Sequence, residues 1–287
     1  MQPLLVALGL IAIMTNISFI RFFLFFSSLL LVCLSCDKDP EKYKPEPAPC
    51  LAYLSSLNST NEVFLTFQYY NPVNLAEPET YEGIIIEITP QFPIDSFPKI
   101  ITITFDSNGV ICPDNKIRKG KITCRLNSNW AQQPSRADIT LTDFYIDNTK
   151  INGLFSYSSS ELNDSLKIEY KVINGLVTSE NNDTCSFNMN YLIMANYSRE
   201  QRSLNPFSWY SADTFDFSGQ DFNKNSFDVI ISKRLYFDET CSDGEITLGE
   251  IMVTPSASTD FSADFGNGEC DRKLNLIFSG NSFPISF

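Results

Sequence analysis

From about Tyr81 to the end, the chain is written as short runs of alternating apolar and polar residues. "YEGIIIEIT", "KIITITFD", "GKITCRLN", "ADITLTDFYI", "KINGLFSYS", "SLKIEYKVI", "CSFNMNYLIM", "SFDVIISKRLYF", "GEITLGEIMVT", "FSADFG" and "KLNLIFS" follow one another. Period-two alternation puts one apolar and one polar face on each segment, which is a half-buried strand. Between the runs stand clusters of Asn, Gly, Asp and Ser. The Asn-Gly steps in "TFDSNG", "VINGLV" and "FGNG" suit the positive-φ positions of tight turns. The pattern predicts a mainly β chain, an antiparallel meander of eleven strands. Eleven apolar faces must be hidden against each other, so the expected fold is a β-sandwich or a strongly curved, partly open barrel. "CLAYLSSL" reads as a short helix and "EVFLTFQYY" as a further strand. No Pro- or Gly-rich linker divides the body, which gives one domain over 50–287.

Composition narrows the function classes. Hydrophobic residues make up 43%, with 24 Phe and 12 Tyr, ample for a real core. The net charge of −13, from 21 Lys+Arg against 34 Asp+Glu, repels phosphate backbones, so nucleic acid is not an expected partner. Histidine is absent. That removes the usual general base, the His-containing triads and the commonest zinc ligand. The expectation is a non-enzyme without cofactor or metal. Among 34 acids some pair will lie at glycosidase spacing by chance, so no carboxylate pair is nominated.

Residues 3–35 are almost wholly apolar, interrupted by Thr15, Asn16, Ser18 and Arg21. They form either a membrane hairpin or a signal peptide over 1–35. In the second reading Met14 is the true start, "MTNISFIR" the n-region and Phe22 to Leu34 the h-region. We adopt the second. "CLSC" resembles the lipobox of bacterial lipoproteins, with Ser35 at the small position and Cys36 as the lipidated residue; Cys33 departs from the usual aliphatic residue. Two or three acyl chains give stable attachment where one is marginal. After Cys36, "DKDPEKYKPEPAP" is charged and proline-rich, a tether over 36–49 that reaches roughly 40 Å when extended. Its start resembles the surface-export signal of Bacteroidota lipoproteins, although Pro40 splits the acidic pair Asp39 and Glu41.

Six cysteines remain beyond Cys36: Cys50, Cys112, Cys124, Cys185, Cys241 and Cys270. An even number in an exported chain suggests disulfides, with fifteen possible pairings. No CxxC occurs among them. If "EITLGEIMVT" and "FSADFGNGEC" form a hairpin turning near Pro255 to Ser258, Cys241 and Cys270 fall at the same end, within disulfide reach. Cys112 with Cys270 is the rival pair. Cys112 and Cys124 are not opposed in the simplest register. "TFDSNGVICPDNKIRKGKITCRL" and "DFGNGECDRKLNLIF" also echo each other, matching Phe105, Asn108, Gly109 and Cys112 to Phe265, Asn267, Gly268 and Cys270.

The pieces "FPKIITITFDSNGVICPDNKIRKGKI", "DFYIDNTKINGLFSY", "CSDGEITLGEIMVTP" and "DFGNGECDRKLNLIFSGNSFPISF" resemble a group of Flavobacteria-like Bacteroidota lipoproteins with no assigned function. The likeness spans 97–287 and implies a β-rich exported domain; it brings no catalytic residues. Three local candidates remain. Asp106, Asn108 and Asp114 make an oxygen-rich loop without the acidic spacing of an EF-hand. Trp209 and Tyr210 are either a sugar platform or core packing. "DSL" from Asp164 to Leu166 resembles an O-glycosylation site used by some Bacteroidota. The leading expectation is an outer-membrane lipoprotein, anchored through Cys36 and displayed at the cell surface or facing the periplasm. It would bind a glycan or protein partner. The alternatives are a carrier of lipid or small ligand in a β-clam and a carboxylate-based hydrolase.

Overall fold

The apolar faces of the strands meet a helix, not a second sheet. The computed structural model describes residues 44–74, 81–93, 95–130, 132, 134–162, 165–195, 209–238, 241 and 246–287. The signal peptide expected over 1–35, Cys36 and most of the expected tether over 36–49 lie outside them. Residues Pro45–Phe287 form one compact unit.

Helix α1, Ala48–Tyr70, starts where prolines are tolerated, with Pro47 at its N-cap and Pro49 in the first turn. It stops at Asn71, which is extended because Pro72 follows. Its sequence is apolar on every side, and a helix of that kind is stable only when covered on every side. All but Leu51, Ser55, Asn58, Glu62 and Tyr69 are buried. Those five fall at three-, four- and seven-residue steps, a single stripe down the helix. The buried hydroxyls bond back into their own helix: Ser56 Oγ to Ala52 O at 2.8 Å, Thr60 Oγ1 to Ser56 O at 2.8 Å, Thr66 Oγ1 to Glu62 O at 2.6 Å. Among the described residues no helix is long and apolar enough to cross a membrane.

Around α1 run β1 (Ile84–Thr89), β2 (Lys99–Ile111), β3 (Ile117–Leu126), β4 (Ser135–Ile146), β5 (Thr149–Leu162), β6 (Ser165–Thr178) and β7 (Thr184–Ala195). They continue as β8 (Trp209–Gln220), β9 (Ser226–Phe237), β10 (Ile246–Pro255), β11 (Phe261–Asn267), β12 (Lys273–Phe278) and β13 (Asn281–Ser286). Each strand pairs antiparallel with its sequence neighbours in one 13-stranded sheet, and β1 and β13 remain its edges. The expected mainly β antiparallel meander is present as one open sheet that does not close into a barrel, and among the described residues its strands belong to that one sheet.

Three further corrections have physical causes. "EVFLTFQYY" is helical despite its β-branched and aromatic residues, because burial on all sides outweighs local propensity. The predicted tether ends early: Pro45 is buried, and Ala48 and Pro49 already belong to the buried helix. Two strands were not read from the pattern, β8 and β13. Pro284 lies inside β13, opposite Asn275, where an edge position tolerates the missing N–H.

The core is aromatic and centred on the helix. Phe64 lies 5.0 Å from Tyr157, 5.2 Å from Tyr170 and 5.9 Å from Trp130, centroid to centroid. Near the helix start, Tyr53 meets Phe217 at 5.2 Å; near its end, Tyr70 meets Phe105 at 5.6 Å. Tyr157 Oη donates to Thr60 O at 2.9 Å, tying β5 to the helix backbone. Phe64→Ala removes the hub of this cluster and should destabilise the fold by about 3–5 kcal/mol in urea denaturation. Ile85→Thr, at a 64% exposed position of β1, should change stability by no more than about 0.5 kcal/mol. Equal losses for the two variants would contradict a helix-centred core.

Candidate functional site

A buried arginine is the most heavily bonded polar group of the core. Arg118 on β3 is fully buried. Its Nη1 and Nη2 each donate to Asp114 at 2.7 Å, Nη2 also to Glu62 Oε2 at 2.8 Å, and Nε to Thr66 Oγ1 at 2.9 Å. Lys116 Nζ reaches the other oxygen of Glu62 at 2.7 Å. Burial opposes the charge on Arg118, but the Asp114 bonds and the Glu62 charge outweigh it and hold the guanidinium protonated above its ordinary range. The cluster clamps the β2–β3 connection to the helix; its donors and acceptors face one another, which leaves little for a ligand. Its position was legible, since Arg118 shares the inward parity of Ile122, Cys124 and Leu126 on β3.

The oxygen-rich loop is thereby divided. Asp114 is engaged by Arg118, while Asp106 Oδ1 accepts the backbone N–H of Asn108 at 2.8 Å where the register of β2 is irregular. Among the described residues no three of His, Cys, Asp and Glu gather as a metal site. Trp209 and Tyr210 lie on β8, where they pair with Ala195 and Met194 of β7; their side chains lie outside the described residues, as does Asp164.

The Sγ atoms of Cys241 and Cys270 are 1.98 Å apart and their Cα atoms 5.4 Å apart, at disulfide distance. The β10–β11 hairpin turns over 256–260, which brings the start of β10 and the end of β11 to the same end. Cys50, Cys112, Cys124 and Cys185 are buried free thiols. The six cysteines beyond Cys36 therefore yield one bonded pair, which narrows the expectation drawn from their even number. Burial pushes the Cys50 thiol up to about 12 and raises Cys185 as well. The sequence echo is partly geometric: Phe105 and Phe265 are both buried, and Gly109 and Gly268 both have positive φ, at 93° and 101°. Cys112 and Cys270 nevertheless differ, one a thiol, the other bonded.

Two concavities remain. On the outer face of the sheet, depressions of about 630, 420 and 280 Å³ share walls and run from β4 to β10. Short polar residues pave the deepest part: Asn188 of β7, Ser218 of β8, Ser226 and Asp228 of β9, and Thr254 of β10. Gly219 has no side chain there, and a Cβ would sit 2.5 Å from Ser186 O. Exposed Ile173, Ile230 and Leu154 flank the shallower parts. The second concavity, about 340 Å³, lies over the helix between Asn61, Leu65, Ile246 and Phe287. The trough was missed because alternation shows which residues face outward but not how short their side chains are across neighbouring strands.

No protein-family model, curated protein or solved structure matches this chain.

Replacing Arg118 by Met strands two carboxylates against the core and should destabilise the protein by about 3–5 kcal/mol. Arg136→Ala, breaking the exposed pair with Asp138 at 2.9 Å, should stay within about 1 kcal/mol. Urea midpoints decide between them, and a small Arg118 effect would sink the clamp. In peptide mapping, iodoacetamide at mildly alkaline pH should spare Cys50, Cys112, Cys124 and Cys185 until urea is added. Cys241 and Cys270 should be recovered as one linked peptide. Alkylation of native Cys50 would contradict the buried helix start.

Proposed function

We propose that this chain is an exported outer-membrane lipoprotein, anchored through lipid on Cys36, whose β domain binds an envelope glycan without catalysis. The observation that carries the binding reading is the outer-face trough. Amide, hydroxyl and carboxylate groups on short side chains offer donors and acceptors to sugar hydroxyls while leaving room for the ring. Asp228 is the charged member of its largest part, and Lys171, Arg136, Asp138 and Asp216 bring both signs of charge to the rest. The flanking Ile173 and Ile230 give apolar contact for ring C–H groups. The carrier reading loses support because α1 occupies the concave side of the sheet, where a lipid would have to lie. The hydrolase reading needs a pair of carboxylates, and Asp228 is the one carboxylate lining the 630 Å³ part of the trough. A protein partner on the same face is the second reading, favoured by the exposed Ile230 at 57% and Leu154 at 52%.

The anchor claim is tested by metabolic palmitate labelling of wild type and Cys36→Ala, with protease shaving of whole cells. Labelled wild type, unlabelled variant and cleavage by external protease are expected. Unlabelled wild type would sink the anchor, and labelled but protected protein would place it facing the periplasm. For the trough, purified envelope polysaccharide should co-sediment with wild type. Asn188→Ala combined with Asp228→Ala should weaken this about tenfold, the loss of one or two hydrogen bonds. Undiminished binding by the double variant would remove the trough as the contact face.

A further inference from the structure

The strand register arranges the floor of the outer trough in rows. Asp138, Ser156, Lys171, Asn190 and Asp216 are direct partners from β4 through to β8. Two residues along, Thr140, Leu154 and Ile173 are partners on β4, β5 and β6. On the same level Asn188, Ser218, Asp228 and Thr254 are partners on β7 to β10. Asn188 Oδ1 accepts the N–H of Asn174 at 3.0 Å and joins these two halves where the β6–β7 register shifts. The chain neighbours that alternate with these residues, such as Ile139, Phe155, Val172, Met189 and Phe217, are buried, so the rows face outward. From β4 to β10 the rows cross six strand spacings of ~4.8 Å, which makes the floor roughly 29 Å long, with ~7 Å between rows.

Resting on the glycan reading of this trough, we propose that its occupant is an extended stretch of linear polysaccharide lying across the strands, about six sugar units long. A floor of this length is filled by a chain rather than by a single ring. The period matches as well. An extended hexose chain advances by about one strand spacing per unit, so successive sugars meet outward side chains of successive strands. A peptide strand laid along the same rows advances ~3.3 Å per residue and falls out of step with them. Ser156, Asn190, Asn188 and Ser218 both donate and accept, as sugar hydroxyls do, while Leu154 beside Ile173 offers an apolar patch to a ring face. The contacts available on each strand are few and exposed to water, so affinity has to accumulate with chain length.

The test is co-sedimentation of the full chain with purified envelope polysaccharide, competed by size-fractionated oligosaccharides released from that polysaccharide by partial hydrolysis. Competition should strengthen with each added unit up to about six and then level off. The hexasaccharide should be roughly a hundredfold more potent than the disaccharide, the gain from a few added hydrogen bonds. Ser156→Trp and Thr140→Trp each raise a ring from the β4–β5 end of the floor, at outward positions clear of the core. Both variants should keep the wild-type Tm, bind the hexasaccharide roughly tenfold more weakly and leave the trisaccharide within about twofold. A disaccharide as potent as the hexasaccharide, or wild-type hexasaccharide affinity in either variant, would overturn the extended occupant and leave the glycan reading standing. Polysaccharide that fails to co-sediment with wild type would remove both.

Discussion

Everything in this fold follows from the need to cover α1 on every side but one narrow stripe. A helix with one apolar stripe can rest on a sheet and show its other side to water; one that buries Val63, Phe64 and Leu65, three successive residues about 100° apart, cannot. A single sheet can do the covering only if it is wide and curved. Strands lie ~4.8 Å apart, so thirteen span ~60 Å, and a circle ~10 Å from the helix axis has a comparable circumference. The strand number is thus in the range that wrapping requires. The pairing of every strand with its sequence neighbour keeps the connections short while the curvature accumulates.

Enclosing a 23-residue helix also encloses its polar groups, and the structure answers each class differently. Small hydroxyls return to the helix's own carbonyls. The longer Glu62 meets an arginine from the sheet, which in turn is held by Asp114. That arrangement favours one rotation and one axial position of the helix, because Thr66, Glu62 and Arg118 must coincide; a purely aromatic interface tolerates small slides more readily.

The strands were legible because their signal is local: each half-buried run alternates whatever it packs against. What fills the concave side was not local. "CLAYLSSLNSTNEVFLTFQYY" has only a narrow polar stripe, Ser55, Asn58 and Glu62, to betray helical periodicity, and its Phe, Val and Tyr content imitates a strand. Only the presence of many one-faced strands lacking a second layer could have pointed to it. Strand β13 was hidden by Pro284, which argues against a central strand but permits an edge. At the candidate sites, Arg118 could be found by parity along β3, whereas the outer trough could not, since it depends on which short side chains become neighbours across β7, β8 and β9.

The helix is the first element of the compact unit, reached directly from the residues that precede it. Any tension applied to the chain N-terminal to Ala48 therefore enters the fold along the helix axis before it meets a strand. Such a load does not peel one strand from its neighbour, a few hydrogen bonds at a time. It draws a tightly packed rod lengthwise past Phe217, Tyr157, Trp130 and Phe105, opposed at once by the aromatic contacts along its length and by the Arg118 crosspiece. A domain held by its front end in flowing or crowded surroundings is thus loaded in shear through its core, the geometry in which many weak contacts resist together.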